Sequence, residues 1–464
     1  MVVWDGTAAR VPYGVSPVMG VGSSSLGTGD EMERLMRELY PLCRSITGEG
    51  VRATFRALQT RIPLVVYEVP SGTTVLDWTV PPEWNITDAF IKDARGERVV
   101  DFRASNLHVM SYSRPVRGTM SLNELQPHLF SLPEHPQWIP YRTSYYKENW
   151  GFCVSHEQLQ RLTDQEYEVC IDSRLEAGSL TYGECIVPGR VRDEVLVSCH
   201  TCHPSLCNDN LSGIAVATAL ARSLLQDKPY HTYRFVFLPG TIGSITWLAM
   251  NEATLSRIRH GLVLTGVGDE GAVTYKRSRQ GDAEIDRAMV HVLRHSGAAH
   301  RIIDFFPYGY DERQYCSPGF NLPVGCFMRT PHGEYPEYHT SADNLAFVKR
   351  SSLEASYALC LSVFRLVDQN RRYVNQNPKG EPQLGRRGLY RQVAGQQGKQ
   401  SRELVLLWVL NLSDGHHSLL DIADRAQVPF GEVAEAAHAL ERCGLLKETD
   451  SSGCAPGSSQ SVIR

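Results

Sequence analysis

The chain has 464 residues, of which 42% are hydrophobic, and its formal net charge at pH 7 is -4. This length is too great for one small domain and predicts two or three. The near-neutral charge argues against the strong basic field that attracts nucleic acid or an anionic membrane. The longest apolar runs have the length of a strand or a short helix, so no transmembrane helix is predicted.

The twelve cysteines are scattered through helix-like and strand-like segments and do not form the dense framework of a small secreted domain. Reduced thiols in a cytoplasm are the simpler interpretation. The N-terminus has no basic region followed by a continuous apolar stretch, so it does not resemble a signal peptide. A cytoplasmic protein is therefore expected.

The first third of the chain contains three segments that differ in composition and periodicity. Residues 1–29 are rich in Gly, Ser and Val and are predicted to be a flexible leader. Residues 31–58 have helical spacing with a break around Gly48. From residue 70 to residue 146, short alternating segments lie between Pro, Gly and Asn, which predicts an inserted β-rich domain.

Strands and helices then alternate as far as residue 370. The candidate strands are 167–171, 177–186, 194–198, 233–238, 261–267, 302–306 and 322–328, and the candidate helices are 212–225, 283–295 and 351–370. Together with residues 30–69, the segment 147–370 is predicted to form an α/β domain with a mixed sheet between two layers of helices. Ligands of such a domain bind outside the carboxyl ends of its strands.

The C-terminal part begins with a polar, basic segment, residues 371–400, which is predicted to be a linker. Three short helical patterns and a short wing follow, and they predict a winged-helix domain at 401–450 and a flexible tail at 451–464. The predicted recognition helix of this domain, residues 429–442, carries Glu432, Glu435 and Glu441 but only one Arg. Phosphate contacts need cations there, so a protein-contact or dimerisation role is favoured over DNA binding.

The strongest chemical signal is a histidine at the end of a predicted strand. His200 follows the strand 194–198, Asp209 begins the helix that follows, and His339 lies far downstream. Zinc in catalytic sites takes imidazole nitrogen and carboxylate oxygen and keeps one position for water. We therefore predict that His200, Asp209 and His339 bind a metal ion, although Asp209 alone would suit a helix N-cap.

Several other side chains could belong to the same site, and the sequence leaves more than one role for each of them. His203 is a candidate ligand or a partner of a ligand, and with Cys199 and Cys202 it could instead form a structural zinc knuckle. Three further acids could bind the metal or contact a ligand of it: Asp269, Asp311 and Glu334. Glu334 could instead act as a general base or anchor a substrate ammonium, and so could Glu337. Glu337 and Glu312 are the predicted general bases.

These residues carry a family resemblance. The strand ending in His200, the Asp209 helix start and the His339 segment resemble the zinc aminopeptidases of the glutamate carboxypeptidase and transferrin-receptor superfamily. More closely, the chain is similar to a bacterial family of aminopeptidase-like proteins with an inserted β-rich domain and a C-terminal winged helix. This similarity lies in residues 41–50, 77–84, 150–153, 200–205, 311–315 and 380–385.

The resemblance implies a zinc-exopeptidase-like fold, but three usual ligand positions differ. Cys202 replaces an aspartate, Gly240-Thr241 follows the next strand where a glutamate pair is usual, and Thr265 replaces a second aspartate. The resemblance therefore extends to His200, Asp209 and His339 only, and a single zinc ion with water at the fourth position is expected.

The predicted function is zinc-dependent, aminopeptidase-like hydrolysis of an amide in a short peptide or an N-acylated small molecule. Two alternatives remain open: a deacylase of a biosynthetic pathway, and a non-catalytic binding protein that keeps the peptidase fold. A DNA-binding regulator is a weaker alternative. No nucleic-acid or membrane partner is expected, and a homo-oligomer could form through the winged helix or the inserted domain.

Overall fold

The computed structural model describes residues 11–13, 27–163, 165–389 and 402–449. They divide into two units. The first holds the described residues up to Met289 together with Gly297–Leu361, and the second holds Val290–Ser296 and the described residues from Ser362 onward. Most of the predicted leader and the whole predicted tail, 451–464, lie outside the described residues.

The described residues form twenty strands and twelve α-helices. The strands are β1 Val11–Tyr13, β2 Val65–Pro70, β3 Thr74–Val75, β4 Trp78–Thr79, β5 Glu83–Lys92, β6 Arg98–Asp101, β7 Val116–Ser121, β8 Leu129–Phe130, β9 Phe152–Cys153, β10 Glu166–Glu176, β11 Ser179–Val187, β12 Glu194–His200, β13 Thr232–Leu238, β14 Ile258–Leu264, β15 Val273–Lys276, β16 His300–Ile303, β17 Val324–Met328, β18 Arg372–Asn375, β19 Asp414–Ser418 and β20 Leu446–Glu448. The helices are α1 Thr28–Leu39, α2 Glu49–Gln59, α3 Leu122–Leu125, α4 His156–Gln160, α5 Gly213–Gln226, α6 Ile242–Asn251, α7 Glu284–Ser296, α8 Glu312–Tyr315, α9 Arg350–Gln369, α10 Arg402–Leu412, α11 Leu419–Ala426 and α12 Phe430–Arg442.

The first unit is built on a nine-stranded mixed sheet in the order β1-β2-β11-β13-β12-β14-β17-β15-β16. Its four central strands, β13, β12, β14 and β17, are parallel to one another. Every residue of β12 is buried, as expected for a central parallel strand covered on both faces. Because the parallel strands run the same way, their carboxyl ends meet at one edge of the sheet, which the site occupies.

The predicted mixed sheet between helices is confirmed. The elements missing from the prediction include β2, β15 and α6. Helix α6 is buried on nearly all sides, with seven apolar or small residues in a row from Ile242 to Leu248. A helix without a polar face has no helical periodicity in its sequence, which explains the omission.

The β-rich segment forms a second, four-stranded sheet in the order β6-β5-β10-β7. Its central strand β10 lies beyond residue 146, so the sheet uses residues outside the predicted insertion 70–146. Trp84 and Tyr112 lie in its core with relative exposures of 3% and 4%. The neighbouring Trp78 is 43% exposed and is therefore not a core residue.

The second unit contains the winged helix. Helices α10, α11 and α12 accompany a three-stranded sheet in the order β19-β18-β20. Its central strand, β18, lies in the segment 371–400 that was predicted to be a linker, so that prediction is wrong for Arg372–Asn375. The partner residues of this short strand lie forty or more positions away, and the polar residues around it gave no strand pattern in the sequence. No described helix has the length and hydropathy needed to cross a membrane.

Candidate metal and catalytic site

The candidate site begins at the end of strand β12. His200 is the last residue of this strand, and its side chain is 3% exposed. A turn of π-helical type, Cys207–Ser212, then leads into α5 and carries Asp209, which is fully buried. The small residues at the start of α5 let this turn pack closely, since a Cβ on Gly213 would lie 2.6 Å from the carbonyl oxygen of Leu264.

Three histidines surround the carboxylate of Asp209. His200 Nε2 lies 2.8 Å from Asp209 Oδ1, and His339 Nε2 lies 3.0 Å from Asp209 Oδ2. His203 Nδ1 lies 3.2 Å from the same Oδ2 atom. The three residues predicted as metal ligands are therefore adjacent in space, and His203 joins them.

Asp343 holds the Asp209 turn in place. Its Oδ1 accepts backbone N–H bonds from Cys207 at 3.2 Å and Asn208 at 2.5 Å, and its Oδ2 accepts one from Asp209 at 2.9 Å. Burial raises the pKa of Asp343 to about 7, although these donors oppose the shift. Asp343 thus positions the backbone of Asp209 and does not itself face the histidines.

Asp209 is ionised in this setting. Burial by itself would raise the pKa of its carboxyl, but the charge of His203 and hydrogen bonds from His200, His203 and His339 hold the pKa well below its usual range. Burial lowers the pKa of His339, which favours the neutral imidazole that binds metals.

Aromatic rings surround the imidazoles. Tyr310 stacks on His200 with ring centroids 5.5 Å apart, and Tyr338 stacks on His339 at 3.9 Å. The buried ring of Tyr141 meets His203 and His339 edge-on, at 5.3 Å and 5.1 Å. These rings restrict the imidazole orientations. The side chains of His200 and His203 are 3% and 15% exposed, whereas that of His339 is 34% exposed at the cavity.

A cavity of about 260 Å³ opens beside His200, His203 and His339. Asp311 also lines it and is 2% exposed. Its Oδ1 accepts hydrogen bonds from the Thr241 N–H and the Ser244 hydroxyl, both at 2.9 Å, while its buried Oδ2 has no hydrogen-bond partner. Burial raises the pKa of Asp311, and the nearby His200 opposes the shift. Asp311 is therefore a buried carboxylate beside the cavity, and one of its oxygens has no hydrogen-bond partner among the described residues.

The other acids named from the sequence lie elsewhere. Glu312, a predicted base, is fully buried and pairs with Lys276 at 2.8 Å. Glu337, the other predicted base, is absent from the cavity lining. Glu334 is exposed and pairs with Arg301 at 2.9 Å, and Asp269 accepts hydrogen bonds from Asn208, Gly271 and Thr330. None of these four lines the described part of the cavity.

The positions that differ from two-zinc aminopeptidases are filled by packed neutral groups. Cys202 lines the cavity, and its Sγ accepts the Gly240 N–H at 3.2 Å. Thr265 is fully buried. Neither replacement restores a carboxylate.

The donor set fits one zinc ion. Ligand atoms of His200, His203 and Asp209 lie within 4.8 Å of one another, and His339 reaches the second oxygen of Asp209. Imidazole nitrogens with a carboxylate are the ligands of catalytic zinc sites. The alternative knuckle is not supported, because the described group of side chains that could hold a metal ion joins His203 to His200 and Asp209 and includes neither Cys199 nor Cys202.

Sequence reasoning missed the aromatic side of the cavity. Trp78, Tyr146 and Tyr308 line it from segments that are distant from the metal ligands in the sequence. The only available signal was the abundance of tyrosine in residues 141–146 and 308–310, which does not show where the rings point.

Comparison with known proteins agrees with the fold. A family model described as "Domain of unknown function (DUF4910)" matches residues 33–370, and one described as "winged helix-turn-helix" matches residues 371–448. A protein from Clostridium acetobutylicum is 52% identical over 424 residues, which cover 91% of this chain and 98% of that protein. Its name is "Putative polysaccharide biosynthesis protein with aminopeptidase-like domain".

Two solved structures are also similar to this chain. The crystal structure of a "putative peptidase" from Clostridium acetobutylicum has a TM-score of 0.87 at 51% identity, over 91% of this chain and 97% of that one. A zinc aminopeptidase from Bacillus subtilis has a TM-score of 0.51 at 14% identity, over 72% of this chain and 93% of that one. The latter likeness concerns the fold alone. The predicted aminopeptidase-like fold with a C-terminal winged helix is thereby confirmed.

Proposed function

Because the chain belongs to the DUF4910 family and has an aminopeptidase-like domain, we propose that it hydrolyses an amide bond with the help of zinc. The substrate is a short peptide or an N-acylated small molecule. The observation that carries the proposal is the convergence of His200 and His339 on the two oxygens of Asp209, beside a cavity.

The metal would be held by His200, Asp209 and His339, with His203 as a further ligand or as a partner of Asp209. When bound, zinc supplies a Lewis acid that polarises a carbonyl and lowers the pKa of water toward neutrality. Tyr310 and Tyr338 keep the imidazoles oriented through their stacking contacts. Asp343 keeps the Asp209 turn fixed.

Asp311 replaces Glu312 and Glu337 as the proposed general base. Its free Oδ2 accepts a proton from the attacking water and returns it to the leaving nitrogen. A pKa raised by burial suits this exchange, because a base works best when its pKa approaches the working pH.

The test is to measure zinc content and hydrolysis on the same preparation of the full chain. We expect about one zinc ion per chain, and hydrolysis of an acylated amide that stops on chelation and returns with zinc. Activity that survives complete metal removal would overturn the proposal. Stoichiometric zinc without hydrolysis of any amide would instead support the non-catalytic binding protein, which the lost carboxylates at Cys202 and Thr265 favour.

A deacylase of a biosynthetic pathway is the second candidate function. It is favoured by the name of the relative from Clostridium acetobutylicum, which links that protein to polysaccharide biosynthesis. A panel of N-acylated compounds and free peptides separates the two. Cleavage of one acylated compound without aminopeptidase activity would identify the deacylase.

For the winged helix we propose a protein partner or a second copy of the chain. Glu432 and Glu435 are exposed on α12, where a DNA-binding helix would need cations. A gel-shift measurement at physiological salt checks this, since specific binding of duplex DNA there would overturn it.

A further inference from the structure

We infer that an aromatic rim beside the candidate active site, formed by Trp78, Tyr146 and Tyr308, is a binding subsite for a neutral sugar ring, and that the amide of the substrate is an N-acyl group on such a sugar. The hydrolytic half of this inference rests on the proposed function. The binding half rests on the rim alone.

The rim exposes large rings at a cavity mouth. The relative exposures of Trp78, Tyr146 and Tyr308 are 43%, 49% and 63%, and all three line the cavity that contains His200 and His339. The rings of Trp78 and Tyr146 contact each other edge-on, with centroids 5.3 Å apart. Exposed aromatic surface of this kind, next to a cleft, marks a binding site more often than a random surface does.

The backbone holds these rings in place. Trp78 lies on β4, which pairs with β3 across a tight turn where Leu76 has a φ of 56°. Tyr146 itself has a φ of 61°. Left-handed backbone costs free energy for residues other than glycine, so such positions cluster where a ligand requires a particular side-chain direction.

The side chains that line the cavity favour a sugar over an apolar side chain as the bound group. Besides four imidazoles, one tryptophan ring and five tyrosine rings line the cavity, and the tyrosines carry hydroxyls: Tyr145, Tyr146, Tyr308, Tyr310 and Tyr338. The described lining contains Ile46 and Ile242 but no Phe, Leu or Val. A ring face is electron-rich and attracts the C–H face of a pyranose, while tyrosine hydroxyls can exchange hydrogen bonds with its hydroxyls.

The charges of the cavity argue against a free amino terminus. Asp311 is the single carboxylate in the described lining, and one of its oxygens is already occupied by Thr241 and Ser244. Binding a substrate ammonium through Oδ2 would remove the group proposed as the base. An uncharged N-acyl nitrogen avoids this conflict, since it needs no buried counter-charge.

A second cavity extends the rim. It has a volume of about 560 Å³, and Tyr146 lines both cavities. Tyr112, Arg114 and Lys147 also line the second cavity. A saccharide of more than one ring could therefore continue past Tyr146 over these side chains.

Equilibrium binding to the full chain tests the inference. The probes are N,N′-diacetylchitobiose and, for comparison, an N-acetylated dialanine amide, measured by titration calorimetry. We expect the disaccharide to bind the wild type more tightly than the peptide. Trp78→Ala and Tyr146→Ala should each weaken disaccharide binding about tenfold, and Trp78→Phe should restore most of it. Leu225→Ala, which removes an exposed apolar side chain outside both cavities, should leave binding unchanged.

The outcomes separate this inference from the proposed function. Repeating the titration with His339→Ala removes a metal ligand but no ring of the rim, so disaccharide binding should persist. If zinc is absent or hydrolysis fails while the rim binds sugar, the hydrolase proposal falls and the subsite stands. If zinc and amide hydrolysis are present but the disaccharide does not bind, or binds Trp78→Ala and Tyr146→Ala as well as the wild type, the subsite is overturned. Tighter binding of the peptide through the same rings would overturn it as well.

Discussion

His339 Nε2 lies 3.0 Å from Asp209 Oδ2, although 130 residues separate them in the chain. The backbone of His339 has a φ of 56°, and its carbonyl oxygen accepts the Tyr141 N–H at 2.7 Å. His339 is thus held by a strained backbone and by a contact from residues near the inserted β-rich segment. The site consequently depends on how these distant segments pack together.

Replacing His339 with alanine should remove the zinc. The variant loses an imidazole on one side of Asp209, so we expect metal content to fall from about one ion per chain to well below half. Elemental analysis of protein purified without chelator measures this. His300→Ala, which removes an exposed histidine on β16, is the matched control and should retain the metal. Equal zinc in both variants would show that the metal lies elsewhere.

Asp311→Asn should abolish most activity and keep the zinc. A general base contributes about 10²- to 10⁴-fold, so kcat should fall within that range. Burial raises the pKa of Asp311, so the ionised form, which is the active one, disappears as pH falls through a value above the ordinary range for aspartate. The acid limb of the wild-type kcat/KM profile should reflect this and should be missing in the variant.

One control variant accompanies that experiment. Asp304→Asn changes an aspartate whose side chain is 93% exposed and should leave the profile unchanged. An Asp311→Asn enzyme that keeps both its rate and its acid limb would exclude Asp311 as the base.

The buried pair of Lys276 and Glu312 should stabilise the loop that carries Asp311. The Lys276 ammonium donates to Glu312 Oε1 at 2.8 Å and to the Tyr308 carbonyl oxygen at 2.7 Å. Glu312→Gln leaves a buried cation without its partner, which costs about 3–5 kcal/mol of unfolding free energy. Denaturant unfolding measures the loss, and Lys276→Met combined with Glu312→Leu should recover much of it. If Glu312→Gln is as stable as the wild type, the pair does not stabilise the loop.

Glu83 should make stability depend on acid pH. Arg52 donates two hydrogen bonds to its carboxylate, both at 2.7 Å, and they lower the pKa of Glu83 from 4.5 to about 2. A lowered pKa in the folded state means that the stabilisation is complete above the unfolded value and is lost as pH falls through the folded value. The stability difference between wild type and Glu83→Gln should therefore be constant above about pH 4.5 and should shrink toward pH 2.

Acid titrations of both proteins by circular dichroism check this. The exposed Glu97→Gln, on the same β-rich segment, is the control and should follow the wild type. A difference that stays constant down to pH 2 would contradict the assignment.

Much of the fold could be read from periodicity. Strand β12 has an apolar centre, Val195-Leu196-Val197, and α7 repeats its apolar residues at helical spacing, so their boundaries were predicted within a few residues. His200 could be placed at a strand end by the same argument. Helix α6 could not be recognised because it is buried on nearly all sides, and β18 could not because four residues in a polar segment carry little signal.

Periodicity and residue chemistry are local properties, so they were enough to predict many of the strands and helices and to name candidate metal ligands such as His200 and Asp209. Only the tertiary structure shows that Asp311 lies at the cavity while Glu312, its neighbour in the chain, does not. Each carboxylate has one oxygen without a hydrogen-bond partner among the described residues, but Glu312 pairs with Lys276 away from the cavity lining. It likewise decided that Trp78 is exposed at the rim while Trp84 is in the core. The surroundings of such side chains come from segments far away in the sequence, and packing alone brings those segments together.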